Sequence, residues 1–205
     1  MLPDLKALTL NRTTFSSINP KAPLHISFSL TRLTLRHPNR VPPLLLSALL
    51  LPTIVSLSLD TCDNPGTPSY ASLMNALANG IGSNITRLDL TVTDRAEELL
   101  PILHRCTGLS ELRIANALVR NARQVTIELL SDIPSSVRVF MHSGQSTMDR
   151  GWIDALAILQ AELPALSKLQ RLELQSESPK KRKKGATDVD LRRECERRGI
   201  QLVEL

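Results

Sequence analysis

The chain contains very few aromatic residues. Only 2% of its 205 residues are aromatic: one tryptophan, one tyrosine and three phenylalanines. Enzymes of this size generally use more aromatic side chains to shape a substrate cleft, so this composition disfavours a deep catalytic pocket. Hydrophobic residues still make up 42% of the chain. We therefore expect a core built in thin layers from leucine and isoleucine.

Cysteines and long apolar runs are also scarce. The three cysteines, Cys62, Cys106 and Cys195, are an odd number and lie far apart. No charged-then-apolar leader of the secretory kind opens the sequence. Together these features predict reduced thiols, packed as small apolar groups, in an intracellular protein. The most apolar run, residues 41–55, is interrupted by prolines and is shorter than the about 20 residues that a membrane-spanning helix needs, so we expect no membrane contact.

The motifs of catalysis and of cofactor binding are missing as well. The sequence has no C-x-x-C pair, no glycine-rich phosphate loop and no G-x-S-x-G motif. Its histidines, His25, His37, His104 and His142, have no cysteine or carboxylate at metal-ligand spacing. His104 is near Cys106, but Cys106 occupies an apolar position and is expected in the core. We therefore predict that the protein is not an enzyme and uses no cofactor or metal.

The sequence does contain one short phrase, L-x-x-L-x-L, that recurs along its whole length. It can be placed eight times, with its middle position at residues 8, 33, 57, 88, 112, 140, 172 and 200. In L-x-L the two leucines point to one face of a strand and the residue between them to the other. Stripes with helical spacing lie between phrases: Tyr70, Leu73, Met74 and Leu77, and then Trp152, Leu156, Leu159 and Leu163. A strand and a helix recurring at this period predict a solenoid.

The chain resembles the leucine-rich repeat family over nearly all of its length. In that family the phrase continues as x-x-(N/C)-x-L, and Cys62 and Phe15 fall on the Asn/Cys and closing apolar positions of their repeats. The other repeats lack an asparagine ladder, as in the ribonuclease-inhibitor-like and F-box-associated intracellular types. The resemblance implies an α/β horseshoe with a parallel β-sheet on its concave face and helices on its convex face. We expect one domain over residues 1–205, with about eight irregular repeats.

The outward strand positions of such a solenoid form three rows in which arginines alternate with acids and small residues. These rows could bind a protein through charged hydrogen bonds with arginines as anchors. Alternatively, the charges pair mostly with each other and form an ordinary solvated face. The predicted partner-binding residues are Arg32, Arg36, Asp60, Arg87, Asp89, Glu111, Arg113, Arg171 and Glu173.

The C-terminal segment, DVDLRRECERRGIQLVEL, is similar to the tail of fungal F-box-associated leucine-rich repeat proteins. It predicts a charged helix that stops at Gly199 before a last short strand. In such proteins an F-box docks the adaptor of a cullin ubiquitin ligase and the repeats select the substrate. Here MLPDLKALTL begins like an F-box but continues as a repeat strand. We find no F-box, and the uncapped repeat at Leu2 predicts either a covering partner or a natural protein that extends upstream.

Two functions therefore stay open, both of them non-catalytic protein–protein interaction. The chain is either the substrate-recognition part of an F-box-type ubiquitin ligase or an inhibitor-like repeat protein that binds and blocks an enzyme. The first requires an F-box upstream to reach the ligase adaptor.

A basic run, Lys180, Lys181, Arg182, Lys183 and Lys184, carries as much charge as the net +5 of the whole chain. The rest is neutral, which predicts no general attraction for nucleic acid. Its polar surroundings predict a mobile loop over residues 176–187. PKKRKK resembles a nuclear-import signal and implies an import receptor as a partner. The predicted location is cytoplasmic, nuclear or both, and the alternative is a solubilising loop without a receptor.

Replacing the five basic residues with glutamine tests the import hypothesis. The substituted protein should stay in the cytoplasm, because an import receptor would lose the charges that it grips. Fluorescence microscopy of tagged proteins measures this, with Lys21→Gln and Lys168→Gln together as the control. Persistent nuclear signal in the five-residue variant rejects the hypothesis.

Overall fold

The computed structural model describes residues 5–11, 29–36, 43–60, 68–92, 100–116, 122–131, 137–144, 150–174 and 186–205. These residues form an α/β fold around a sheet of eight parallel strands, in which each strand lies beside the one that precedes it in sequence. Every strand contains or adjoins one of the predicted phrases. The strands are β1 (Ala7–Asn11), β2 (Arg32–Arg36), β3 (Ser56–Asp60), β4 (Arg87–Val92), β5 (Glu111–Asn116), β6 (Val139–Gly144), β7 (Arg171–Leu174) and β8 (Gln201–Glu204).

In the described part of the chain, helical segments precede six of the strands and provide the crossovers that parallel strands need. Within the described ranges, no helix is both long and apolar enough to cross a bilayer. The segments are α1 (Pro43–Leu49), α2 (Pro68–Ala76), a π-helical segment (Leu77–Ile81), α3 (Gly82–Asn84), α4 (Leu100–Arg105), α5 (Ala122–Ser131), α6 (Arg150–Gln160), a 3-10 turn (Pro164–Leu166) and α7 (Ala186–Arg198).

The strand register stacks the leucines of successive phrases on one another. Because side chains alternate between the two faces of a strand, these leucines all point to the side where the helices pack. They share one buried cluster with apolar residues of the helices, such as Leu73, Ile102 and Leu129. The middle positions of the phrases form one continuous row: Leu8, Leu33, Leu57, Leu88, Leu112, Phe140, Leu172 and Leu202.

A backbone ladder at the start of the strands joins each repeat to the next. The carbonyl of Thr31, for example, accepts the N–H groups of Val55 and Ser56 at 3.0 and 3.1 Å. The Thr31 hydroxyl in turn donates to the carbonyl of Lys6 at 3.1 Å. The ladder uses the carbonyl lone pairs that would otherwise be left unpaired at the strand ends. Carbonyls that accept two such N–H groups are those of Lys6, Thr31, Val55, Thr86, Ser110 and Arg138.

Consecutive repeats approach each other closely at Gly108, in the turn before β5. A Cβ atom at this position would lie 2.3 Å from the carbonyl oxygen of Ser83, which belongs to α3. The backbone of one repeat therefore rests directly on that of its neighbour, and only glycine leaves enough room.

The last repeat lies two residues later than the sequence pattern predicted. Leu202, and not Ile200, pairs with Leu172. Gly199 has a φ of 68° and ends α7 in the left-handed conformation, as predicted for the helix stop. Ile200 is 8% exposed and fills the core from the turn before the strand. The sequence pattern therefore assigned Ile200, an apolar residue in the turn, to the middle position of the phrase by mistake.

The predicted helical stripes are only partly correct. Leu73 and Leu77 are buried, but α2 ends at Ala76, and Leu77 begins a π-helical segment in which the chain kinks at Asn79 and Gly80. Likewise α6 ends before Leu163, although Leu163 is itself buried. Among the described side chains of α6, those of Ala155, Ile158 and Leu159 are buried, and Leu156 packs partly buried against the core. The side chains of Tyr70 and Trp152, and the residues Phe15 and Cys62, lie outside what the structure describes.

The predicted basic loop, residues 176–187, ends too late. Helix α7 already includes residues 186 and 187, because it begins at Ala186, a strong helix former, directly after a glycine. Residues 175–185 lie outside the described ranges.

The two described cysteines are buried, as predicted. Cys106 packs before β5 and Cys195 on α7, at 0% and 2% exposure. Burial raises the pKa of the Cys106 thiol to about 12 and that of Cys195 to about 11. Both side chains therefore serve as small apolar core groups.

His142 occupies a leucine position in the core. It lies on β6 between Ile114 and Leu174, is 1% exposed, and its ring stacks against that of Phe140. Neither ring nitrogen has a hydrogen-bond partner within the described residues. Burial lowers the pKa of His142 from 6.5 to about 4, because a protonated ring would place a charge in an apolar layer.

Replacing His142 with leucine should make the free energy of unfolding less sensitive to acid. Because its folded-state pKa is lowered, the unfolded state binds the proton first as the pH falls, and stability is lost between about pH 6.5 and about pH 4. The loss should be about 2 kcal/mol at about pH 5 relative to about pH 7.5. Urea unfolding at both pH values measures it.

The His104→Leu variant is the matched control, because it removes an exposed imidazole and leaves the core unchanged. An equal loss of stability in wild type and His142→Leu would show that the buried ring is not responsible.

Candidate protein-binding face

The side of the sheet opposite the leucine layer is polar. We define the polar face as the outward residues of β1 to β7, which the register aligns in rows as the sequence predicted. The first row is Ala7, Arg32, Ser56, Arg87, Glu111, Val139 and Arg171; the second is Thr9, Thr34, Ser58, Asp89, Arg113, Met141 and Glu173. A third row aligns Asn11, Arg36 and Asp60, and further along Thr91, Ala115 and Ser143.

All nine predicted binding residues lie on strands of this face. The side chain of Asp60 is outside what the structure describes, although its backbone pairs with that of Arg36. The predicted import residues Lys180, Lys181, Arg182, Lys183 and Lys184 lie outside the described ranges. The other eight binding residues fall into three groups along the sheet.

Four charged residues form a cluster at the centre of the polar face. Arg87 Nε lies 3.4 Å from Asp89 Oδ1, and Arg87 Nη1 lies 3.6 Å from Glu111 Oε2. Arg113 Nε approaches the same Asp89 oxygen at 3.9 Å. One carboxylate oxygen is thus shared by two guanidinium groups, which holds both arginines in place on adjacent strands.

This central cluster leaves hydrogen-bonding capacity unused. Arg87 Nε and Asp89 Oδ1 are both shielded from solvent, and neither has a hydrogen-bond partner in the described part of the chain. Buried polar atoms of folded proteins are rarely left in that state. The cluster is therefore held by charge attraction at distances of 3.4 to 3.9 Å.

A second ion pair repeats the local pattern of the first on β7. Arg171 Nη2 lies 2.8 Å from Glu173 Oε1. The sequences R-L-D-L in β4 and R-L-E-L in β7 place an arginine and an acid two residues apart, and hence on the same side of the strand.

The N-terminal part of the polar face carries arginines without this local pairing. Strand β2 has the sequence R-L-T-L-R, so Arg32 is followed by Thr34 where β4 and β7 have an acid. Both Arg32 and Arg36 are exposed, and neither forms an ion pair with another described residue. The two guanidinium groups at this end are therefore the most accessible to a partner.

A cavity of about 320 Å³ opens on the polar face beside the central cluster. The sequence had placed small residues in these rows, but it did not show where a cavity would form. Met141 was not among the predicted binding residues, yet its sulfur lies against Arg113 Nε. One signal in the sequence could have located this cavity: two small residues in the third row lie next to charged residues in the second row. The lining consists of Ser58, Asp89, Leu90, Thr91, Arg113, Ala115 and Met141.

No group of three or more histidine, cysteine, aspartate or glutamate side chains in the described ranges could hold a metal ion. The chain matches no protein-family model, no curated protein and no solved structure. The resemblance to leucine-rich repeats rests on the recurring phrase.

Removing Asp89 should cost more stability than removing Glu111. Asp89 approaches two arginines and Glu111 approaches one, so Asp89→Ala leaves two neighbouring guanidinium groups without their shared acid. We expect a loss of about 1 kcal/mol for Asp89→Ala and less than about 0.5 kcal/mol for Glu111→Ala in urea unfolding. High salt should reduce the difference by screening. Equal losses at low salt would contradict the shared-carboxylate arrangement.

Proposed function

We propose that the protein is a non-catalytic interaction module of the leucine-rich repeat type, and that its polar face binds another protein. The observation that carries the proposal is the sheet itself. Its parallel strands, in sequence order and in register, align Arg32, Arg87 and Arg171 in one row and place Arg36 and Arg113 beside them. We propose in addition that the solenoid curves into a horseshoe, with the polar face on its concave side and the helices on its convex side.

The chemistry of the face suits a polypeptide partner. Arginine side chains form bidentate hydrogen bonds to carboxylates and carbonyls and are frequent anchors of protein interfaces. Ion pairs such as Arg171–Glu173 hold the side chains before a partner arrives, which lowers the entropy lost on binding. The acids among the arginines also make the face a poor match for a uniform polyanion such as a nucleic acid.

Substrate recognition in an F-box-type ubiquitin ligase is the more specific form of this proposal. It is supported by the C-terminal order of α7, Gly199 and β8, the arrangement implied by the similarity to F-box-associated repeat proteins. Co-purification from the cells that express the protein should then recover a cullin adaptor together with the substrate. Recovery of one enzyme, inhibited in the complex, would instead support the inhibitor-like function.

Reversing two central charges tests the polar face as the binding surface. Arg87→Glu combined with Arg113→Glu should reduce capture of the partner at least tenfold, because two anchors become repulsive. Quantitative pull-down followed by mass spectrometry measures the recovered partner, and circular dichroism confirms that the variant folds. Arg123→Glu, an exposed residue on α5, is the matched control and should leave capture unchanged.

Photo-crosslinking locates the contact independently of charge. A photoreactive phenylalanine at Thr34 or Ser58 should form adducts with the captured protein, whereas one at Gln124 on the exposed side of α5 should not. Adducts from Gln124 alone, together with unchanged capture by the charge-reversed variant, would reject the polar face as the site.

A further inference from the structure

We propose that the cavity beside the central cluster is a recognition pocket for a side-chain carboxamide, that is, an asparagine or glutamine of the bound protein. The inference rests on the proposed function and specifies which chemical group of the partner enters the polar face. The size of the cavity, the charges around it and the exposed parts of its two charged side chains support it.

The cavity has room for a side chain of a partner. Its volume of about 320 Å³ is at the lower end of the range for binding pockets. Ser58, Thr91 and Ala115 leave it open because their side chains are small. Met141 supplies an adaptable apolar wall that can pack against the methylene groups of a glutamine.

The charges around the cavity cancel. Asp89 and Arg113 line it with opposite charges, and the cluster continues to Arg87 and Glu111, which are again opposite. A carboxylate entering the cavity would gain the attraction of Arg113 but meet the repulsion of Asp89. An ammonium group would meet the reverse. A neutral group avoids both kinds of repulsion. The group must also be polar, because an apolar group would leave the charged atoms of the lining without hydrogen-bond partners.

A carboxamide matches the donors and acceptors that the cluster leaves available. Arg113 Nε lies against Met141 and Asp89, while its side chain stays 34% exposed and its terminal amino groups donate to no described residue. Asp89 lines the cavity, and its side chain is 26% exposed although its Oδ1 atom is covered. The carboxamide oxygen can accept from Arg113 while its amino group donates to Asp89. The hydroxyls of Ser58 and Thr91 can serve either atom.

Small blocked amino acids test this pocket without knowledge of the partner. The probes are the N-acetyl, N-methylamide derivatives of glutamine, glutamate and lysine, titrated into the isotopically labelled full chain. The glutamine probe should shift the amide NMR signals of Ser58, Thr91 and Ala115 with a dissociation constant on the order of 1–10 mM, as expected for so small a ligand. The glutamate and lysine probes should bind at least tenfold more weakly.

Variants of the lining distinguish a pocket from unspecific contact. Ala115→Leu fills the cavity and should abolish the glutamine-dependent shifts. Thr34→Leu is the matched control, because Thr34 lies on the same face but does not line the cavity. Asp89→Asn should shift the preference towards the glutamate probe, and Arg113→Gln should shift it towards the lysine probe, because each substitution leaves one sign of charge unopposed.

The wild-type titrations alone can overturn the inference. Absence of localised shifts with the glutamine probe at concentrations up to about 50 mM, well above the expected range, would overturn it, as would equal or tighter binding of the glutamate or lysine probe. Neither result would affect the proposed function, which is judged by partner capture with the charge-reversed polar face. If capture fails to depend on that face while the glutamine probe binds, the carboxamide pocket stands and the proposed function fails.

Discussion

The rest of the structure depends on one constraint, the stacking of leucines in register across parallel strands. Leu33, Leu57, Leu88 and Leu112 lie side by side and are almost fully buried. Burial of each such side chain contributes about 1.5–3 kcal/mol. A slip of one residue would expose a whole row of leucines and bury arginines in its place, at a much higher cost. The core therefore determines which residues face the solvent, and the polar face is a consequence of its register.

This constraint also explains how much of the fold could be predicted. A repeat of period two identifies strands and assigns each residue a side, so the rows of the sheet follow from the sequence alone. The pattern gave a wrong register where an apolar residue is buried outside a strand, as Ile200 is in the turn after Gly199. The hydrophobic pattern also does not predict which backbone contacts join one repeat to the next. The double hydrogen bonds at the start of the strands, and the close approach at Gly108, depend on backbone geometry that hydrophobic spacing does not encode.

On the polar face, too, the sequence predicts the positions of residues but not the contacts between their side chains. The positions of Arg87, Asp89 and Arg113 follow from alternation and spacing, but the sharing of one aspartate oxygen by two arginines depends on side-chain conformation. The cavity depends in addition on the width of three neighbouring residues and on Met141. His142 is a further case: the phrase gave its position, while the lack of a hydrogen-bond partner within the described residues emerges only from its surroundings. Function at this face would arise from such combinations of ordinary residues, and not from a motif.

The central claim is that the polar face, and not the helical side, contacts the partner protein. Hydroxyl-radical footprinting of the chain, alone and in complex with its captured partner, tests it most directly, because the method measures the solvent accessibility of individual side chains. The account predicts that Arg32, Arg36, Arg87, Arg113 and Arg171 become protected on binding, while exposed residues of α5 and α7 keep their rates of modification. Protection confined to the helices, with the polar face unchanged, would contradict it.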